Sequence, residues 1–265
     1  KNQDLKSLLI QETPWLRDAQ SETEQKKRIA LLFDMNKMGY EQQQVLGKLR
    51  QNQLPSGAWP WFNGGKANRY ITQHIMTGLG HLIRLGAIRG NEAGLGPMIE
   101  RAMAYLDKEF MAHYDRIKRH SHNLNKDNLS HIQAQYLYTR SFFTIPRSEE
   151  LVEIIDYYND QAKKFWIDKN LYTKGMLALS LYRTGDAKTA QKIMASLREN
   201  SIEHEELGMY WKNNGPSWYW YRAPIETQAL MIEAFDEIAK DDHAVENLKV
   251  WLLKNKQTNR WETTK

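Results

Sequence analysis

Three segments of the chain repeat one pattern, and this repetition constrains the fold more than any other feature of the sequence. Each segment begins with Thr and continues with apolar residues on almost all sides of a helix, with small residues between large ones. The segments begin at Thr72, Thr173 and Thr227. A helix that is apolar on every side is buried between other helices. A more charged segment follows each of them, so the pattern predicts hairpins of one buried helix and one outer partner; the partners span 98–110, 187–197 and 244–253.

The spacing of the three copies predicts a fourth. The interval from Thr72 to Thr173 is about twice that from Thr173 to Thr227, which leaves room for one weaker copy. Residues 130–138 fill this place, with Ser130 where the other copies have Thr. Self-similarity at such a period indicates an architecture of repeated helical hairpins.

Composition favours an all-α chain and excludes several functions. The chain has 265 residues, of which 41% are hydrophobic and 26% charged, and long alternating β-branched runs are missing. No apolar stretch reaches the roughly 20 residues that span a bilayer, so no direct membrane insertion is expected. The net charge of +5 comes from interspersed signs, which favours a solvated surface over nucleic-acid binding.

Cysteine is absent from the sequence. The chain therefore has no disulfide, no thiolate nucleophile and no metal site with a Cys ligand. No phosphate-binding glycine loop is found either, because Gly78 and Gly80 fall inside a helical segment. We expect no cofactor.

One loop has the pattern Gln-x3-Gly-x-Trp, formed by Gln53, Gly57 and Trp59. The Gly permits a tight turn, and the Trp packs over the end of the next buried helix while the Gln caps nearby backbone groups. This pattern resembles the motif of α/α-toroids, the rings of helical hairpins found in terpene cyclases, prenyltransferases and thioester domains. The resemblance implies an all-α, terpenoid-cyclase-like α/α-toroid of helical hairpins, incomplete in this chain.

Four further segments resemble bacterial alpha-2-macroglobulins of the Bacteroides type, in the region of their thioester-type toroid. These segments are 12–16, 54–62, 223–230 and 252–261. The resemblance implies an exported protein of the periplasm or outer cell envelope that acts as an endopeptidase inhibitor by trapping proteases. Its implied partners are target proteases and neighbouring domains of the same polypeptide.

The family's thioester cannot be transferred to this chain, because it joins a Cys to a Gln. Either the thioester segment precedes Lys1, or this protein lacks one and works without a covalent bond. We interpret residues 1–265 as a single toroid domain and as a fragment of a longer protein. Lys1 is not a Met, and after Trp261 the chain stops where another Thr-headed helix would begin.

Large aromatic residues in the loops before the buried helices are the candidate ligand or interdomain surface. The candidates are Trp59, Trp61, Trp211, Trp218, Trp220 and Tyr221, together with His74 at the predicted mouth of the ring. The alternative is that these rings pack on their own helices. If they are exposed, a polysaccharide-active toroid enzyme or a glycan-binding module becomes the alternative function.

No catalytic residue is predicted. Acid–base catalysis on a polysaccharide needs two carboxylates in one cleft, and Glu226 and Asp115 qualify by residue type alone. Asp241 and Asp242 lie at a hairpin turn, where Asp is a natural N-cap. The expected function is therefore structural, and the chain is not expected to be an enzyme.

The histidines do not have the spacing of a metal site, and we predict no bound metal. Four of them crowd one stretch of sequence and are interpreted as solvated loop residues: His113, His120, His122 and His131. His74 and His81, seven residues apart on one helix, are expected to be core histidines with hydrogen-bond partners.

Overall fold

A computed structural model of the chain describes residues 35–88, 94–120, 123–215 and 223–255. Over these residues the chain forms nine α-helices, which confirms the all-α prediction. The helices are α1 (Met35–Asn52), α2 (Arg69–Arg84), α3 (Leu95–His120), α4 (His131–Arg140), α5 (Glu149–Phe165), α6 (Leu171–Arg183), α7 (Ala187–Glu199), α8 (Pro224–Ala234) and α9 (Asp242–Lys254). None of the helices in the described ranges is long and apolar enough to cross a membrane.

Three short elements interrupt the helices. A 3-10 turn follows α5 at Trp166–Asp168, and a π-helical turn extends α8 at Phe235–Ala239. Strands β1 (Ile202–His204) and β2 (Gly208–Tyr210) form an antiparallel hairpin in which Ile202 pairs with Tyr210. Strands of three residues are too short to show an alternating pattern in the sequence.

The backbone contacts divide the chain into two compact units, which are described separately. One unit comprises residues 43–193. The other comprises the remaining described residues: 35–42, 194–215 and 223–255. The boundaries fall inside α1 and α7.

The Thr-headed helices form the interior of the first unit. Helix α2 packs against α4, and α4 packs against α6. Helix α3 covers α2 and α4, while α5 packs on α3. In α6, every residue from Gly175 to Leu181 is buried, as is Thr173 at its start. The predicted helix that is apolar on all sides is thus confirmed for α6.

The weaker fourth copy, α4, is as deeply buried as α6. All eight residues from Gln133 to Arg140 are buried, although several are polar. Polar side chains pair across the α2–α4 contact: Gln73 Nε2 donates to Gln135 Oε1 at 3.1 Å, and the hydroxyls of Thr77 and Thr139 lie 2.7 Å apart. Buried polar groups are tolerated when they are hydrogen-bonded, which explains why the apolar pattern of this copy is weak.

Helix α2 differs from the prediction. Thr72, Gln73, Met76, Leu79 and Gly80 are buried, but His74, Gly78 and Leu82 are exposed. The helix is therefore amphipathic, and the expectation that it is buried on every side was wrong.

One predicted helix end was also wrong. Helix α3 continues ten residues beyond the predicted Phe110 to His120. The added turns place the Tyr114 ring 4.9 Å from that of Tyr157 on α5. The helix ends with Lys118, Arg119 and His120 in its last turn, where cations suit the helix dipole.

In the second unit, α8 and β2 both pack against α9. Thr227, Met231 and Ala234 of α8 are buried, as predicted for the third Thr-headed segment. Asp241 is the N-cap of α9, because its Oδ1 accepts a hydrogen bond from the Ala244 N–H at 2.9 Å. This confirms the structural interpretation of the Asp241–Asp242 pair.

Candidate functional site

The loop between α1 and α2 is organised around a buried tryptophan. Trp59 is 2% exposed. Its backbone N–H donates to Thr72 Oγ1 at 2.9 Å, and its indole N–H donates to the Leu49 carbonyl at 2.8 Å. Thr72 Oγ1 in turn donates to the Asn68 carbonyl at 2.8 Å. Trp59 therefore joins the end of α1 to the first turn of α2, and the repeated Thr supplies the bond on the α2 side.

Gln53 and Gly57 attach the same loop to α3. Gln53 Nε2 donates to the carbonyls of Gly57 and Met98 at 2.9 and 2.8 Å, and its Oε1 accepts from Arg101 Nη2 at 2.5 Å. Gly57 has φ +88°, and a Cβ at this position would lie 2.1 Å from the Arg101 carbonyl oxygen. Each residue of the Gln-x3-Gly-x-Trp pattern thus has a packing reason.

The second unit contains a related arrangement. Trp211 is 3% exposed, and its indole N–H donates to the Leu197 carbonyl at 2.9 Å. Gly208 has φ +74°, and a Cβ there would lie 2.2 Å from the Asn247 carbonyl oxygen on α9. The Gln comes from a different place, because Gln228 of α8 donates to the Met209 and Leu248 carbonyls. The second arrangement therefore does not follow the Gln-x3-Gly-x-Trp spacing in the sequence. We call both arrangements Gly–Trp motifs.

For Trp59 and Trp211 the packing alternative therefore holds, and these two rings offer no surface to a ligand. Three other candidates, Trp218, Trp220 and Tyr221, lie outside the described residues. The remaining two, Trp61 and His74, are exposed.

Trp61 and His74 belong to one series of rings at the start of α2. The Trp61 ring lies 6.0 Å from that of Tyr70, and the Tyr70 ring lies 6.1 Å from that of His74, with 28° between the planes in both pairs. Trp61 is 62% exposed, and its neighbour Phe62 is 69% exposed. We call Trp61, Tyr70 and His74 the aromatic row.

The loop that holds Trp61 is closed by backbone contacts. Pro60 and Ala67 form an isolated antiparallel bridge. The Gly65 N–H donates to the Phe62 carbonyl at 2.9 Å, and the Asn68 N–H donates to the Trp59 carbonyl at 3.0 Å. An exposed ring on a hydrogen-bonded loop loses little conformational freedom when it contacts a ligand.

Sequence reasoning did not include Tyr70 and Phe62 in this surface. The spacing of Tyr70 and His74, four residues apart on one helix, places them on one face and would have indicated their contact. His74, expected in the core, is exposed. His81 follows the expectation, because its Nε2 lies 3.1 Å from the Tyr138 hydroxyl.

The crowded histidines are separated by the fold. His113 lies inside α3, His120 ends that helix and His131 begins α4, while His122 lies outside the described residues. His131 Nδ1 contacts the Thr173 hydroxyl at 3.0 Å. Among the residues with described positions, no group of three or more His, Asp or Glu side chains is arranged to hold a metal ion.

The two carboxylates considered for catalysis have different settings. Asp115 lies on α3 of the first unit, whereas Glu226 lies in the first turn of α8 in the second unit. Both carboxylate oxygens of Glu226 are buried, and neither has a hydrogen-bond partner among the residues that the structure describes. A carboxylate in the first turn interacts favourably with the helix dipole, which is a structural role for this residue.

Comparisons with known proteins do not add a relationship. No protein-family model matches the sequence, and no curated protein matches it.

His113 should make the fold sensitive to acid. Its Nδ1 contacts the Tyr158 hydroxyl at 3.0 Å, and burial, followed by the charges of Arg69 and Arg116, lowers its pKa to about 4. Above pH 6.5 the ring is neutral in both the folded and unfolded chains. Between pH 6.5 and 4 the unfolded chain binds the proton and the folded chain does not, so stability falls as the pH falls.

We expect this loss to reach about 1–2 kcal/mol, less than the full shift implies because the ring is partly solvated. The measurement is urea unfolding of wild type and His113→Gln at pH 7 and pH 4.5. The variant should lose less stability than wild type between the two pH values. Equal losses would mean that His113 titrates normally.

Proposed function

We propose that this chain is a non-catalytic α/α-toroid domain of an exported alpha-2-macroglobulin-like protein, acting in protease trapping. The observation that supports the proposal is the Gly–Trp motif of the first unit. Its Gln53, Gly57 and Trp59 are the residues by which the chain resembles α/α-toroids, and each has the packing role expected of that pattern.

The arrangement of the helices is consistent with a toroid. Helices α2, α4 and α6 lie side by side, and the intervening α3 covers two of them. A toroid of helical hairpins places consecutive buried helices next to each other in this way. The step from this fold to a macroglobulin-like protein rests on the four resembling segments of the sequence, because fold alone does not imply function.

In this proposal the domain transmits a change of shape. Cleavage of a bait segment elsewhere in the protein would move the neighbouring domains, and the toroid would provide a rigid body for them to pack against. The exposed Trp61 and Phe62 are available for such packing. The chain itself performs no chemistry and binds no cofactor in this mechanism.

A trapping assay on the full-length protein tests the proposal. A protease of broad specificity is mixed with the protein, and hydrolysis of a large protein substrate is compared with hydrolysis of a small chromogenic peptide. Steric trapping predicts that cleavage of the large substrate falls at least about tenfold while the small peptide is still cleaved. Equal hydrolysis of both substrates, with and without the protein, would refute the proposal.

The absence of Cys from this chain adds a second readout to the assay. Methylamine inactivates inhibitors that depend on a thioester, because it attacks the thioester carbonyl. If trapping is non-covalent, pretreatment with methylamine should leave the protection of the large substrate unchanged. Loss of protection would place a thioester elsewhere in the full-length protein.

A further inference from the structure

We infer that a cavity between α4, α5 and α6 binds one water molecule, which bridges side chains of the three helices. Arg140 of α4, Asn159 of α5 and Ser180 of α6 line this cavity together. The inference is independent of protease trapping, because it concerns the interior of the first unit alone.

Each of these three residues has a buried polar atom that lacks a hydrogen-bond partner among the described residues. The atoms are Arg140 Nε, Asn159 Oδ1 and Ser180 Oγ. Arg140 is 2% exposed and Ser180 is 1% exposed. Arg140 Nε lies 3.3 Å from Asp107 Oδ1, but this ion pair does not have the geometry of a hydrogen bond. Because buried polar atoms are nearly always paired with protein groups or ordered water, three unpaired atoms around one cavity indicate a bound polar molecule.

The other hydroxyl groups that line the cavity are already paired. Ser141 Oγ donates to the Tyr138 carbonyl at 2.6 Å and accepts from Arg183 Nη1 at 3.2 Å. Thr184 Oγ1 donates to the Ser180 carbonyl at 2.9 Å. A bound molecule therefore has to match a guanidinium N–H, an amide oxygen and one hydroxyl.

Size and charge identify this molecule as water. The space open to the centre of a water-sized molecule is about 10 Å³, which holds one water and is too small for a phosphate or an organic ligand. The Asn159 oxygen would repel an anion, and the Arg140 guanidinium would repel a metal cation. A water molecule accepts from Arg140 Nε, donates to Asn159 Oδ1 and pairs with Ser180 Oγ. Three such bonds are typical of a buried water.

The bound water joins the end of α4 to α5 and α6. A water that bridges two protein groups is nearly as favourable as a direct hydrogen bond, so this water contributes to the packing of the three helices. Arg147 and Thr184 also line the cavity and are exposed. They mark the side on which the water exchanges with solvent.

The variant Ser180→Ala tests whether the buried hydroxyl has a partner. With the water bound, loss of the hydroxyl should raise the equilibrium constant of unfolding about five- to tenfold, because the water loses one of its three partners. Without the water, the same change removes an unpaired buried hydroxyl, which leaves the stability unchanged or increases it. Urea unfolding of wild type and variant measures the difference, and an unchanged or increased stability would overturn the inference.

A double-mutant cycle tests whether Ser180 and Asn159 share the water. Ser180→Ala and Asn159→Leu each remove a bond to the same molecule, so the unfolding constant of the double variant should be at least about threefold below the product of the single effects. Asn63→Leu is the same change at an exposed residue of the α1–α2 loop. Its effect should multiply with that of Ser180→Ala to within about twofold. Multiplicative effects in both pairs would overturn the inference.

A high-resolution crystal structure of the wild-type chain would locate the water directly, and it does not depend on the folding of any variant. Electron density for one water is expected within hydrogen-bond distance of Ser180 Oγ, Asn159 Oδ1 and Arg140 Nε. A direct hydrogen bond between Ser180 and Asn159, or a cavity without density, would overturn the inference.

Discussion

Replacing Arg140 by Met is expected to lower the free energy of unfolding by about 3–5 kcal/mol. Arg140 is 2% exposed at the end of α4, with its Nε 3.3 Å from Asp107 Oδ1. Its Nη1 donates to the Phe143 carbonyl at 3.1 Å, and its Nη2 donates to the Ile145 carbonyl at 2.7 Å. The guanidinium therefore holds the α4–α5 connection and neutralises a half-buried carboxylate. Its loss removes the donor of the Phe143 and Ile145 carbonyls and leaves Asp107 with the Tyr136 hydroxyl alone of these two partners.

Urea unfolding of wild type and variant measures this effect. Arg116→Met, the same substitution at an exposed site on α3, should change stability by no more than about 0.5 kcal/mol. Adding Asp107→Asn to Arg140→Met should recover part of the loss, because the unpaired carboxylate is removed. A loss below about 1 kcal/mol for Arg140→Met would contradict the structural role of this ion pair.

The pH dependence of the Arg140 variant has a definite sign. Burial raises the pKa of Asp107, by more than the Tyr136 hydroxyl and Arg140 lower it. Removing Arg140 raises that pKa further, so the variant's folded state takes up a proton more readily than wild type. The stability difference between wild type and Arg140→Met should therefore narrow as the pH falls through the raised pKa of Asp107.

Replacing Gly57 by Ala is expected to cost about 3 kcal/mol or more. Two causes add: the backbone has φ +88°, and the new Cβ would lie 2.1 Å from the backbone oxygen of Arg101. A helix backbone cannot yield as a flexible side chain can. The loss would be measured by urea unfolding, with circular dichroism at 222 nm as the signal.

Two matched Gly→Ala variants separate these causes. Gly64 has φ +79°, and a Cβ added there would have no atom within 4 Å, so Gly64→Ala should cost about 1–2 kcal/mol from backbone strain alone. Gly78 is exposed within α2 and also has open space, so Gly78→Ala should stabilise the protein by about 0.5–1 kcal/mol. If Gly57→Ala cost no more than Gly64→Ala, the close packing of the Gly–Trp motif on α3 would be refuted.

Helical periodicity predicted the buried helices because a helix that is buried on all sides has apolar residues at most of its positions. Helices α6 and α8 were predicted from this pattern of apolar residues. The apolar pattern of helix α4 is weak, because its interior positions hold Gln135 and Thr139, which pair with polar groups of α2. Such pairing depends on the neighbouring helix and is invisible in a single segment.

The candidate site was predicted less completely than the fold. Sequence could identify aromatic residues in loops but could not separate Trp59, which packs inward, from Trp61, which is exposed two residues later. That separation depends on the backbone contacts between Pro60 and Ala67 and between Trp59 and Asn68. The length of α3 was underestimated for a similar reason, because contacts with α5 stabilise its last turns.

In the first unit the buried layer is formed by α6 and by α4 beside it, and labelling of introduced cysteines measures this burial. The chain has no Cys of its own, so a single introduced thiol reports on one position. Ala134 on α4 and Ala178 on α6 are buried, whereas Ala195 on α7 is exposed. A maleimide should react at once with Ala195→Cys, and with Ala134→Cys and Ala178→Cys only after the protein is unfolded in urea. Equally fast labelling of all three folded variants would show that α4 and α6 are not buried.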